Sequence, residues 1–167
     1  MTEIIIKLKN LNWLFIFLIS FLSFVGLVMI YSATYVEESK IFISHIYKVV
    51  FGFTLMIFVS LIDIEFWKKN AYLFYFIGLV LLLWVAFYGY LGKGARRWIN
   101  FYGFNFQPSE IMKIFLIISL AKFFDEKKFQ EPRDYFFLTL PIFIVSIPFL
   151  LVLIQPDLGT AMLILFV

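Results

Sequence analysis

The sequence predicts an all-α integral membrane protein, built as a multi-span helical bundle with five spans plus the start of a sixth. Apolar residues fill 63% of its 167 positions, charged residues fill 15%, and the mean hydropathy is +0.99. Soluble domains carry roughly 45–50% apolar and about 25% charged residues. Three uncharged runs also reach the ~20 residues that a spanning helix needs: residues 11–31, 71–92 and 135–156.

Two less pure segments complete the five spans. Residues 46–62 carry Lys48 near their start, and residues 109–124 contain Lys113. A last apolar stretch, residues 158–167, reaches about 15 Å, roughly half of a ~30 Å hydrocarbon core. We therefore expect residues 1–167 to be the N-terminal part of a single polytopic membrane domain whose C-terminal spans are missing.

Basic residues predict the orientation of the chain. An N-terminus in the cytoplasm satisfies the positive-inside rule, because more basic residues then lie inside than outside. The inner set is Lys7, Lys9, Lys68, Lys69, Lys122, Lys127, Lys128 and Arg133, and the outer set is Lys40, Lys48, Lys93, Arg96 and Arg97. The absence of cysteine excludes a disulfide framework, a thiolate nucleophile and a cysteine-based metal site.

The predicted outer loop at residues 91–107 is basic. It carries Lys93, Arg96 and Arg97 and no acidic residue, and its three glycines allow tight turns or close approach to a ligand. The loop could simply contact anionic headgroups. It could also bind a phosphate or pyrophosphate, because guanidinium groups match that geometry.

A helix start follows this loop. Residues 107–110 read Gln-Pro-Ser-Glu, with a proline suited to the first turn and an acid near the positive end of the helix dipole. Glu110 and Lys113 are three residues apart, so they share a helix face and can pair. A lysine one turn into a span is costly unless it is paired or faces a polar cavity. We expect a buried pair that lines a cavity; the alternative is a lysine that extends back to the interface.

Residues 155–160 repeat the Gln-Pro pattern. Asp157 is predicted to cap the next helix, with Thr160 at the third helical position. Both Gln-Pro helix starts fall on the predicted outer side, where they would direct positive dipole ends and free backbone donors. Together with Lys93, Arg96 and Arg97 they predict a polar pocket for an anionic ligand, such as a lipid-linked phosphate. The residues alone leave an enzyme and a transporter open.

These motifs resemble the SEDS family (shape, elongation, division and sporulation proteins), which includes RodA, FtsW and SpoVE. The resemblance is carried by Gly-Ala-Arg-Arg-Trp-Ile at 94–99, Phe-Gln-Pro-Ser-Glu-Ile-Met-Lys at 106–113 and Gln-Pro-Asp-Leu-Gly-Thr-Ala at 155–161. Tyr-Ser-Ala-Thr at 31–34 also fits. The second and third motifs are closer to RodA than to FtsW.

The resemblance implies a peptidoglycan glycosyltransferase of the bacterial cytoplasmic membrane. Such an enzyme polymerises lipid II, the undecaprenyl-pyrophosphate-linked precursor, during cell elongation and cell-shape maintenance or during cell division. It implies about ten spans in the intact fold and a class B penicillin-binding protein as partner. No nucleic acid is implied, and no cofactor is evident, although a divalent cation could bridge the substrate pyrophosphate and a carboxylate.

The resemblance also assigns site residues. Glu110 and Lys113 match the family's intramembrane acid–base pair, Asp157 its aspartate after the fifth span, and Arg97 its loop arginine, with Arg96 as a neighbour. The family's candidate catalytic base is an aspartate in a later outer loop, beyond residue 167. The catalytic residue is therefore unknown, and we expect residues 1–167 alone to be inactive.

Two functions of other classes compete with the enzyme. A flippase for a lipid-linked precursor would use the same basic loop and helix starts. A non-catalytic membrane scaffold for a cell-wall synthase predicts that Arg97, Glu110, Lys113 and Asp157 tolerate substitution.

Overall fold

Helices dominate the computed structural model, which describes residues 11–34, 39–92, 95–101, 104–126 and 135–167. By packing, the chain separates into two units, Met1–Asp63 and Ile64–Val167, and each is described by itself. The described residues form six α-helices: α1 Trp13–Thr34, α2 Ser39–Ser60, α3 Ile64–Tyr88, α4 Pro108–Glu126, α5 Thr139–Ile154 and α6 Leu158–Leu165. A short 3₁₀ helix, Tyr135–Leu138, leads into α5.

The first unit is the helical pair α1 and α2. Asn12 caps the N-terminus of α1, since its side-chain oxygen accepts from the Phe15 N–H at 3.1 Å. Hydroxyl groups along both helices bond to carbonyls one turn back, as Ser20 does to Ile16 and Thr54 to Val50. These bonds satisfy polar groups without help from a neighbouring helix, as an apolar surrounding requires. A groove of about 200 Å³ lies between the two helices, lined by Ile19, Ser23, Val49, Gly52, Phe53 and Met56.

The core of the second unit lies where α3, α4, α5 and α6 meet. It consists of Leu82, Met112, Leu116, Leu120, Val152, Ala161 and Ile164. The helices α3 and α4 approach closely at Gly78, where an added Cβ would lie 2.5 Å from the Met112 sulfur and 3.2 Å from the Phe115 ring. The buried Ser119 hydroxyl donates to the Ala71 carbonyl at 3.0 Å. Small residues and a buried hydroxyl thus join two apolar helices, as is typical of membrane helix pairs.

One hydrogen bond explains how α5 accommodates its internal proline. Pro148 lacks an N–H, so the Ile144 carbonyl one turn earlier has no partner within its own helix. The Tyr75 hydroxyl of α3 donates to that carbonyl at 2.9 Å. Pro141 needs no such partner, because it lies in the first turn of α5, where backbone N–H groups have no intrahelical acceptor.

A small sheet connects α3 and α4, in the segment that the sequence predicts to be a loop. Its antiparallel strands are β1 Tyr90–Gly92, β2 Ala95–Phe101 and β3 Phe104–Phe106, in that order. The register pairs Tyr90 with Trp98 but Leu91 with Arg96, so Arg97 is the extra residue of a bulge in β2. Of the basic residues predicted here, Lys93 lies outside the described residues.

The helical prediction is confirmed, since a helix covers most of each predicted span and α6 begins a sixth. Three described helices are long and apolar enough to cross a membrane by length and composition: Trp13–Thr34, Lys40–Ser60 and Ile64–Tyr88, with mean hydropathies of 2.6, 1.8 and 2.1. The helix α5 is apolar but shorter, with 16 residues.

Candidate functional site

Five polar residues join separate elements at the end of the second unit where α3 ends and α4 and α6 begin. We call them the junction cluster: Arg97, Gln107, Gln155, Asp157 and Thr160. They come from β2, the residue before α4, the turn between α5 and α6, and α6 itself. Their side chains connect segments that lie 50 or more residues apart in the sequence.

Arg97 is held by the end of α5. Its Nε donates to the Gln155 carbonyl at 3.1 Å, and one terminal nitrogen donates to the Pro156 carbonyl. These carbonyls lack helical partners at a C-terminus, where a cation is also favoured by the helix dipole. The other terminal nitrogen lies 3.6 Å from the Asp157 carboxylate. The bulge explains why the Arg97 side chain points towards the end of α5, because an extra residue in a strand changes the direction of its side chain.

Asp157 has both carboxylate oxygens in use. It caps α6, as predicted: Oδ1 accepts from the Thr160 N–H at 3.3 Å. Oδ2 accepts from the Thr160 hydroxyl at 2.9 Å and from the Gln107 amide at 3.1 Å. The side chain is 12% exposed. In this arrangement Asp157 is an acceptor that organises its neighbours.

The two Gln-Pro motifs differ in structure. Pro108 begins α4, so the first motif is a helix start, as predicted. Gln155 instead ends α5, and its buried side chain donates to the Leu82 carbonyl of α3 at 3.0 Å. The second helix start is therefore supplied by Asp157, and its first free N–H groups are partly occupied by that side chain.

Arg96 contacts a different helix from its neighbour. One of its terminal nitrogens donates to the Phe87 carbonyl in the last turn of α3, at 2.8 Å, and the side chain is exposed. The adjacent arginines of β2 thus reach the C-terminal ends of two helices, α3 and α5. Arg96 makes no recorded hydrogen bond to the junction cluster among the described residues.

Glu110 and Lys113 form the predicted pair. The Lys113 ammonium lies 2.9 Å and 3.0 Å from the two oxygens of Glu110. The expectation that both are buried is wrong, because the Glu110 side chain is 58% exposed, against 21% for Lys113. Exposure suits Glu110, because a carboxylate in the first turn is stabilised by the helix dipole, whereas burial would remove its hydration. Neither side chain makes a further hydrogen bond within the described part of the chain, so both keep hydrogen-bonding capacity that the pair itself does not use.

The charged members of this region were predictable from the sequence, and the amides were missed. Gln107 and Gln155 were expected only to precede a proline, yet each carries a hydrogen bond between elements. The bulge at Arg97 was also missed. Within the described ranges no group of three or more His, Asp or Glu side chains is placed to hold a metal ion, and every buried side-chain N or O atom has a partner.

Comparison with known proteins gives consistent matches. A family model described as a cell cycle protein (FtsW, RodA and SpoVE) matches residues 12–167. A probable peptidoglycan glycosyltransferase FtsW of Buchnera aphidicola is 32% identical over 165 residues, which cover 95% of this chain and 40% of that protein. A protein of the same name from Geobacter sulfurreducens is 37% identical over 150 residues, covering 82% and 39%. The chain thus spans about two fifths of the length of these curated relatives.

Two solved structures share the fold. The rod shape determining protein RodA of Thermus thermophilus superposes with a TM-score of 0.83 at 27% identity, over 94% of this chain and 51% of that one. A chain from a study of how a peptidoglycan synthase complex coordinates polymerization and crosslinking gives a TM-score of 0.84 at 27% identity, over 94% and 45%.

Proposed function

Because the chain belongs to the FtsW, RodA and SpoVE family of multi-pass membrane proteins, we propose that it is part of a peptidoglycan glycosyltransferase that polymerises lipid II. The observation that carries this proposal is the open Glu110–Lys113 pair, whose first member lies one helical turn after Gln107 of the junction cluster. Charges inside a membrane protein that stay open to a ligand indicate a functional site. The names of the curated relatives support the reaction class.

In this proposal the site binds the pyrophosphate of the lipid-linked substrate. Lys113 supplies an ammonium group, and Arg97 supplies the guanidinium edge whose terminal nitrogen makes the 3.6 Å ion pair. Glu110 holds Lys113 in place. Asp157 and Arg96 border the pocket and fix its walls through Thr160 and Phe87.

Such a site would serve the departure of the pyrophosphate. Transfer of the glycan forms a bond to the 4-hydroxyl of the acceptor sugar and breaks the bond to the pyrophosphate, on which negative charge develops. Cations aimed at that charge stabilise the transition state. A general base for the hydroxyl is also required, and in this proposal it is supplied by the remainder of the intact protein.

The cellular role is proposed as elongation and shape maintenance. The motifs at 106–113 and 155–161 favour this role, and RodA is among the similar structures. The curated relatives named FtsW favour division as the second candidate. Complementation separates the two: the complete reading frame containing these residues should restore rod shape to cells depleted of the elongation polymerase. Restoration of septation alone would assign it to division.

We also propose a cytoplasmic N-terminus, the bacterial cytoplasmic membrane and a class B penicillin-binding protein as partner. The positive-inside bias supports the orientation. The similar structure from a peptidoglycan synthase complex supports the partner.

Binding to the chain in lipid nanodiscs tests the proposal. Undecaprenyl pyrophosphate should bind and undecaprenol should not, measured by native mass spectrometry. Lys113→Ala should weaken binding about tenfold or more, as loss of a charge-assisted contact predicts. Lys68→Ala is the matched control, because Lys68 pairs with Asp125 on an exposed surface of the same unit.

Equal binding of undecaprenyl pyrophosphate and undecaprenol, or equal binding by the Lys113 and Lys68 variants, would contradict the assignment. In the intact protein, a Lys113 variant that loses translocation of the lipid but keeps polymerisation would favour a flippase. Full activity of the Arg97, Glu110, Lys113 and Asp157 variants would favour a scaffold.

A further inference from the structure

We propose that Gln107 is a positioning residue, which holds the first turn of α4, and with it Glu110 and Lys113, in place against Asp157. This inference rests on the proposed function for its effect on ligand binding. Its structural part concerns one hydrogen bond and can be tested by itself.

Gln107 is attached to both sides of the site. Its side-chain Nε2 donates to Oδ2 of Asp157 at 3.1 Å, across 50 residues of sequence. Its main-chain carbonyl accepts from the Glu110 N–H at 3.1 Å, which fixes the first turn of α4. A shift of Gln107 therefore moves Glu110 directly, and Lys113 follows because it pairs with Glu110.

The packing around Gln107 transmits such a shift rather than absorbing it. Pro108 is fully buried, and Ser109 is 3% exposed. The proline also restricts the backbone of the residue before it. Close-packed interiors transmit strain, so the contact with Asp157 sets the location of the pair.

The direction of the hydrogen bond matters for this role. An amide can donate to a carboxylate, whereas a second carboxylate can only accept. A glutamate at position 107 would place two acceptors, and two negative charges, at 3.1 Å. An amide at position 157 would restore a donor from the opposite side, while its oxygen can still cap Thr160.

The test is this donor–acceptor reversal in the full chain in nanodiscs. Gln107→Glu should weaken binding of undecaprenyl pyrophosphate about tenfold and speed hydrogen exchange of the Thr160 amide by about the same factor. The double variant Gln107→Glu with Asp157→Asn should recover both to within about threefold of the parent. Asn105→Asp is the matched control, because Asn105 is exposed and already acts as an acceptor, to Asn100.

Rescue separates positioning from a general structural role. A loss of stability without specific coupling would leave the double variant as weak as the worse single variant, which would overturn the proposal. Unchanged binding and exchange in Gln107→Glu would also overturn it. If Gln107→Glu does not fold, Gln107→Met keeps the size and removes the donor, and the same loss of binding and faster exchange are expected.

The two proposals fail in different ways. If the parent chain does not bind undecaprenyl pyrophosphate, the proposed ligand is wrong, and the exchange of the Thr160 amide still decides whether Gln107 holds Asp157. If the parent binds and Gln107→Glu binds equally well, the ligand assignment stands and the positioning role is refuted.

Discussion

The junction cluster and the Glu110–Lys113 pair adjoin at Gln107, the residue before α4, and use similar residue types, but they differ in what their charges contact. Arg97 donates to two backbone carbonyls at the end of α5, and Asp157 accepts from the Gln107 amide and from the N–H and hydroxyl of Thr160. Among the described residues, the side chains of Glu110 and Lys113 bond only to each other, within one helix. Exposure follows the same division, since Asp157 is 12% exposed and Glu110 is 58% exposed.

This difference separates two uses of charge in an apolar protein. Removing a charge that satisfies orphaned backbone groups leaves those groups without partners, which destabilises the fold. An exposed ion pair contributes little to stability, so its presence calls for another explanation, and ligand binding is the one we propose. Substitutions in the junction cluster should therefore lower stability, and also binding where they remove Arg97 or displace the pair. Substitutions at the pair should act on binding with little effect on stability.

The largest effect is expected at Asp157. Asp157→Leu removes the acceptor of Gln107 and Thr160 and leaves Arg97 without its carboxylate, so the free energy of unfolding should fall by about 3 kcal/mol. Reversible unfolding in detergent, followed by circular dichroism, measures the change. Asp157→Asn keeps the cap and should cost about 1 kcal/mol; equal losses from both variants would show that the hydrogen bonds are not the cause.

Arg97→Lys should cost about 1.5 kcal/mol, because a lysine keeps the charge but cannot reproduce a guanidinium that donates to two carbonyls in fixed directions. The control is Arg96→Lys, since Arg96 is exposed and donates one recorded hydrogen bond; it should cost about 0.5 kcal/mol or less. The same denaturation measurement applies to both variants. Similar losses at both positions would contradict the distinction between the neighbouring arginines.

The cost of leaving a backbone carbonyl without a donor can also be measured at Tyr75, where no charge is involved. Tyr75→Phe leaves the Ile144 carbonyl without its donor and should cost about 1 kcal/mol. In a Pro148→Ala background the alanine supplies a backbone N–H that can occupy that carbonyl, so Tyr75→Phe should cost about 0.3 kcal/mol there. A double-mutant cycle by chemical denaturation measures this difference, and the exposed Tyr88→Phe is the control. A cost that does not depend on position 148 would refute the link.

The smallest effect on stability is expected at the pair. Lys113→Met should change the free energy of unfolding by about 0.5 kcal/mol or less, although the same variant should lose binding of undecaprenyl pyrophosphate. Unfolding and binding measured on one preparation make the comparison direct. A large loss of stability would place Lys113 with the junction cluster and remove the contrast between the two regions.

The helices were predictable from sequence because hydropathy reports burial or lipid contact over some 20 residues. The residues at which the helices begin and end were less predictable. The apolar run at 71–92 corresponds to α3, Ile64–Tyr88. This helix begins before the run because its first two turns include charged residues, Lys68 and Lys69 among them, which a hydropathy pattern leaves out. The run also covers the whole of β1, because apolar residues alone do not distinguish a helix end from a strand.

The candidate site was only partly predictable. The cap at Asp157 and the pair at Glu110 and Lys113 are local, so spacing was sufficient to find them. The partners of Gln107 and Gln155 lie 50 and 73 residues away, and no local pattern encodes them. The sequence had one local signal for the strands. Neighbouring strands are separated by two residues, Lys93-Gly94 and then Tyr102-Gly103, and two is the commonest length of a hairpin connection.

The placement of Glu110 and Lys113 on a single helix also bears on how the protein is made. A charged residue entering the bilayer costs roughly 2.5–3.5 kcal/mol at the helix centre on insertion scales. Lys113 finds its counter-ion within its own turn, so the pair can form as soon as α4 folds in the translocon, before α5 and α6 have been synthesised. Asp157 is different, because Arg97 reaches it only after α5 has folded back against the sheet. The order of synthesis thus favours early insertion of α4, with the junction cluster assembled afterwards.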